Sequence, residues 1–111
     1  MFIKKLAEIP LSEVSHNPEI AKKVIISNGA IPKLTTFSQS YFKPGQTCTS
    51  HTHSDMWEVY YINEGVMTMT CDGVVTEHHP GETVVIEPGE AHSASNQHSE
   101  ALVTTYFGIE E

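Results

Sequence analysis

The chain has 111 residues and a mass of 12.3 kDa, enough for one domain with a modest core and not for two. Six basic against 14 acidic residues give a formal net charge of −8, which repels a phosphate backbone and argues against nucleic acid as a partner. No apolar run approaches the roughly 18 residues of a membrane-spanning helix, and Met1–Glu8 has Lys4 and Lys5 with no apolar stretch behind them, so neither a membrane segment nor a secretion signal is expected.

The first elements differ from the rest. Ile9-Pro10-Leu11-Ser12 reads as an irregular or edge segment, and His16, further along the N-terminal segment, as a solvated loop residue. Asn17-Pro18-Glu19 has the form of a helix start, with Asn17 as N-cap and Pro18 at the first helical position, predicting one or two turns before a strand at Val24-Ile25-Ile26. Residues 1–30 are expected to pack as an extension on a barrel formed by 31–111, the whole being one domain. From Val24 onward strand formers dominate, punctuated by Asn28-Gly29, Pro44-Gly45, Asp72-Gly73, Pro80-Gly81 and Pro88-Gly89. Short strands with turn signals at that spacing predict an all-β sandwich or barrel.

Side-chain alternation assigns faces along these strands. Before Pro44, Thr35, Phe37, Gln39 and Tyr41 share one face and Thr36, Ser38, Ser40 and Phe42 the other; near the C-terminus Leu102, Thr104 and Tyr106 oppose Val103, Thr105 and Phe107. Which set faces inward is left open. His51 and His53, separated by one residue, point the same way, and the same alternation sets Cys48 on the opposite face. Glu58, if it points inward, takes Tyr60 and Ile62 with it and turns Trp57, Val59 and Tyr61 outward. That apolar row calls for a cover, either the chain's own N-terminal segment or a second subunit. Cys71, beside Asp72-Gly73, reads as a small packing residue, His78-His79 as part of the turn before Pro80, and His98 as part of a polar loop, Asn96 to Glu100. With no secretion signal, two free thiols in the cytoplasm are expected.

His51, His53, Glu58 and His92 together offer three imidazoles and one carboxylate, the donor set of a mononuclear transition-metal site. Lys and Arg are absent from Pro44 to Glu111, which weakens phosphosugar isomerase and phosphate-ester readings and any that need an Arg clamp. Lys43 is the one basic residue expected nearby, as a surface charge. A small neutral or chelating substrate fits that composition.

The spacing of these residues resembles the cupins over most of the chain. The first cupin motif appears as Gly45, five residues, His51-Thr52-His53, four residues, Glu58, six residues and Gly65; the second as Gly81, five residues, Glu87-Pro88-Gly89, two residues, His92, three residues and Asn96. The one departure is Glu87 where the second motif has proline, with Pro88 beside it to stiffen the turn. The resemblance implies a double-stranded β-helix or jelly-roll barrel with a short N-terminal helical segment. It also implies one divalent transition metal per chain (Fe, Mn, Ni, Zn, Co or Cu) held by His51, His53, Glu58 and His92. Tyr60, whose register is tied to Glu58, is the expected hydrogen-bond donor or acid beside the metal, and His98 a minor catalytic candidate if its loop crosses the barrel opening. The implied function is a metal-dependent enzyme on a small oxygen-rich metabolite, with dioxygenase-type oxidation first. Metal-dependent isomerase, lyase or decarboxylase chemistry, or a non-catalytic binding or sensing module, are the alternatives. Retention of Glu58 argues against the thiol dioxygenases. Small cupins commonly dimerise, so a homodimer with a small-molecule ligand or substrate is expected.

Overall fold

A computed structural model describes residues 1–15 and 17–111; His16 lies outside the described residues. After a 3-10 turn at Leu6–Glu8 the described residues form nine strands: β1 (Ser12–Val14), β2 (Asn17–Ile26), β3 (Leu34–Phe42), β4 (Met56–Glu64), β5 (Met67–Cys71), β6 (Val74–His78), β7 (Thr83–Ile86), β8 (His92–Ser95) and β9 (Leu102–Glu110). They build a six-stranded sheet in the order β1-β2-β3-β9-β4-β7 and a three-stranded sheet in the order β6-β5-β8, with antiparallel pairing throughout. Bridges from Thr47 to Ser95 and from His51 to His92 add one more segment beside β8. The result is an all-β jelly-roll barrel.

The helix expected at Asn17 is replaced by β2. A helix cap is worth about 1 kcal/mol, and here it loses to tertiary pairing. Asn17 is buried, and its Oδ1 accepts from the Thr49 N–H at 2.9 Å and the Thr49 hydroxyl at 3.3 Å instead of capping a turn. Beyond it, Ile20 is fully buried and Ala21 to Ile26 pair with β3. The ladders pass over Pro18, which has no N–H to contribute. His78 likewise ends strand β6 rather than lying in the turn after it.

The core lies between the sheets and consists of Ile20, Phe42, Tyr60, Ile62, Met67, Met69, Ile86, Ala94 and Leu102. This settles the facing left open by sequence. Ser38, Ser40 and Phe42 of β3 and Leu102 and Thr104 of β9 point inward, and Ser40 and Thr104 share a buried hydrogen bond of 2.9 Å. In β4, Glu58, Tyr60 and Ile62 are buried while Trp57 and Tyr61 are exposed, as the alternation requires.

Gly65 closes the turn from β4 to β5 with φ +78°, and a Cβ there would run into the Ala101 carbonyl. Only glycine fits both the backbone conformation and the close approach.

Candidate metal centre

Three segments bring the predicted ligands together. Glu58 hangs from the middle of β4, opposite Gly108 of β9 on one side and Ile86 of β7 on the other. Gly108 leaves space beside it, since a Cβ there would collide with Thr35 and Met56. His92 opens β8, and reciprocal backbone hydrogen bonds of 3.0 Å tie it to His51. The His53 carbonyl accepts the Gly89 N–H at 2.7 Å, so the turn before β8 fixes the second histidine as well.

The side chains converge on one oxygen. His53 Nε2 and His92 Nε2 each lie 3.0 Å from Glu58 Oε1, and His51 Nε2 lies at 3.7 Å. Tyr60 donates to the other carboxylate oxygen, Oε2, at 3.1 Å. On the far side of two rings, His51 Nδ1 meets the Thr49 carbonyl and His92 Nδ1 the Glu90 carbonyl, both at 3.0 Å. A carbonyl only accepts, so these Nδ1 atoms carry protons, and each Nε2 faces the centre, donating to Glu58 when the ring is charged and offering its lone pair when the ring is neutral. Backbone carbonyls that orient ligand imidazoles in this way are the usual outer support of a metal site. The donor set and tautomers therefore suit a divalent transition metal, with His51, His53, Glu58 and His92 as the residues that would hold it.

Electrostatics follow from this crowding. Burial alone would raise the Glu58 pKa, but hydrogen bonds from His51 and His92 and the positive charge of the imidazoles outweigh it and hold the carboxyl well below the usual range. The hydrogen bond to Glu58 raises the pKa of His51. Tyr60 is pushed well above an ordinary phenol, by burial first and then by the Glu58 charge. Its ring stacks on Tyr106 at 5.7 Å, where burial lifts the phenol to about 12.

His51, His53 and Glu58 open into a cavity of about 420 Å³ that Ser40, Phe42, Cys48, Tyr60, Ala94 and Tyr106 also line. Two of its residues depart from the sequence expectation. Cys48 shares the interior with the histidines: four steps separate Thr47 from His51 but only three separate Ser95 from His92, and the extra residue resets the alternation. Its thiol pKa is raised, chiefly by burial. Lys22 of β2 lines the cavity, whereas Lys43 is exposed and stands outside the lining. Reading β2 as a strand, with Ile20 and Lys22 on one face, was the available signal for Lys22; nothing in the sequence announces the extra residue beside Cys48. His98 does not join the centre. It lies at the surface, its Nε2 3.1 Å from Glu77 Oε1 on β6.

The cupin-domain family matches residues 39–107, and the chain belongs to it. Among solved structures, a predicted oxalate decarboxylase from Thermotoga maritima superposes with a TM-score of 0.91 at 22% identity, over 99% of this chain and 100% of that one. A sugar phosphate isomerase from Silicibacter pomeroyi gives 0.84 at 16% identity over 99% and 76%. The polyketide cyclase RemF from Streptomyces resistomycificus gives 0.83 at 18% over 99% and 79%. At these identities the likeness is one of fold. None of the curated proteins matches the chain.

Proposed function

We propose that this cupin is a mononuclear metal-dependent enzyme acting on a small oxygen-rich metabolite. The observation that carries the reading is the convergence of three Nε2 atoms and one carboxylate oxygen beside a cavity that His51, His53 and Glu58 line, with two rings oriented by backbone carbonyls at Nδ1. A divalent ion bound there supplies Lewis-acid polarisation of a substrate oxygen. The chain's own groups do the rest. Tyr60 holds Glu58 Oε2, leaving Oε1 for the centre, and its high pKa keeps the phenol protonated as a donor. Phe42, Ala94 and the Tyr60–Tyr106 stack give the cavity an apolar lining beside the centre.

Redox-neutral chemistry is the branch we favour, because the similar structures above are a predicted decarboxylase, an isomerase and a cyclase. Dioxygenase-type oxidation is the second reading, supported by a donor set that also suits iron or manganese. A cytoplasmic setting accords with the free thiols Cys48 and Cys71.

Elemental analysis of untagged protein, prepared without chelator or a nickel column, tests the centre. Near-stoichiometric metal is expected. A panel of hydroxy acids, keto acids, diols and phenols, followed with an oxygen electrode in parallel, separates the branches. Turnover without oxygen uptake, lost in His53→Ala, supports the redox-neutral reading, and oxygen uptake lost in the same variant supports the oxidative one. Folded, metal-free protein that turns nothing over belongs to a binding module instead.

A further inference from the structure

One cation faces the interior of this acidic chain. Lys22 follows the fully buried Ile20 by two residues on β2 and stands opposite the inward Ser40 of β3, so alternation gives it their face. It is half-buried and, alone among the six lysines, lines the cavity into which His51, His53 and Glu58 open. Lys23, the next residue, faces away and donates to the Leu6 carbonyl at 2.9 Å. No ion pair joins the Lys22 ammonium to a carboxylate among the described residues.

An inward charge opposes burial and needs compensation. Protection of a sheet edge, a common use of inward lysines, does not account for it, because β1 and not β2 is the edge strand. The neighbouring wall supplies Ser15, Asn28, Thr35 and Thr36, hydrogen-bonding groups without a second cation, and one carboxylate, Glu110, which makes no ion pair with Lys22. We propose that Lys22 selects the ligand: it holds a carboxylate at the outer part of the cavity while oxygens at the other end of the same molecule reach the histidine–glutamate centre. This rests on the metal-dependent reading above and narrows its substrate class to small organic acids carrying a second, remote carboxylate. A neutral substrate, one of the two kinds (neutral or chelating) expected from the sequence composition, leaves the ammonium without an ion-pair partner. A phosphate calls for more donors than one ammonium, since such sites use guanidinium forks or arrays of backbone N–H groups. On a chain of net charge −8, a local cation also favours the second carboxylate of a diacid.

The test uses metal-loaded protein and a ladder of 2-hydroxy diacids (malate, 2-hydroxyglutarate, 2-hydroxyadipate), each paired with the 2-hydroxy monoacid of equal chain length, with binding measured by calorimetry. At the chain length that spans the cavity, the wild type is expected to prefer the diacid by about tenfold or more. Lys22→Met should abolish that preference while monoacid affinity and metal affinity stay unchanged, and Lys22→Arg should keep part of it. A structural role would instead shift both acids together, or the melting temperature. Equal binding of diacid and monoacid at every length, or a preference that survives Lys22→Met, overturns the inference and leaves the metal centre standing. Metal uptake alone, followed by competition with a chelating dye, is measured first. Failure there overturns the metal centre, and this inference falls with it because the ligand loses its second anchor.

Discussion

At the scale of single residues, the centre behaves as one unit in which each group sets its neighbour's charge. Glu58→Gln keeps shape and removes charge, so the barrel should stay folded while metal affinity drops; undiminished metal content by elemental analysis would strike Glu58 from the ligands. Tyr60→Phe removes the donor to Oε2 and leaves a buried carboxylate oxygen without its partner. Outer-layer losses of this kind typically weaken metal affinity about 10–100-fold, and unchanged affinity would reduce Tyr60 to a core aromatic. The metal-free protein should show an opposite-signed pH response from its two partners. His51 has its pKa raised from 6.5, so its contribution to stability is complete below pH 6.5 and is lost as pH rises through the raised value. Glu58 has its pKa lowered from 4.5, so its contribution is present above pH 4.5 and lost as pH falls through the lowered value. With chelator present, the melting temperature should therefore decline from pH 6.5 upward. Added metal should reverse that decline, because it takes the place of the proton. Scans that coincide with and without metal would contradict the assignment.

Elements decide what those residues can reach. β4 is central to the site because its alternation delivers Glu58 and Tyr60 inward and its neighbours β9 and β7 hold it from both sides. The turn that follows it is equally constrained. Gly65→Val should cost well over the 1–3 kcal/mol of a strained φ alone, because its side chain also meets the Ala101 carbonyl and the Leu102 Cα. Gly45→Ala is the matched comparison: φ is +86° there but the space is open, so it should cost only the backbone strain. Equal losses of melting temperature in the two variants would show that packing at Gly65 contributes nothing. The motif spacing made this turn legible, along with β4 and the entry to β8. It did not reveal β2, where pairing with β1 and β3 overrides a local helix-start pattern at Asn17 and Pro18, nor the extra residue that turns Cys48 inward.

For the whole molecule, the outer face of the larger sheet is the feature that stands apart. Trp57, Tyr61, Val85 and Ile109 are exposed there, with Phe37 and Phe107 between them at 6.1 Å. The N-terminal turn does not cover them; its Leu6 carbonyl is engaged by Lys23 on β2. The outward residues of β3, β9 and β4 from Phe37 to Tyr41, Val103 to Ile109 and Trp57 to Tyr61 include no charged side chain. On a chain of net charge −8, a second copy can approach here without setting carboxylate against carboxylate. A homodimer through this face is the expected outcome, and Trp57→Glu should convert it to monomer. Light scattering at micromolar concentration checks both, and a monomeric wild type would refute it. Among the described residues, no helix is long and apolar enough to cross a membrane.

All-β character was legible in strand formers and turn residues, and the jelly-roll barrel with its histidine–glutamate cluster in the motif spacing that resembles the cupins. Strand alternation, turn residues and motif spacing are short-range properties, and the cluster's spacing is written into two of those turns. The tertiary structure alone decided which strand faces line the cavity, that residues 17–26 form a strand, and that Lys22 and Cys48 stand on the wall beside the centre. Those outcomes depend on pairings between distant segments, where burial and ladder hydrogen bonds summed over many residues outweigh a cap worth about 1 kcal/mol and one inserted residue reverses a face.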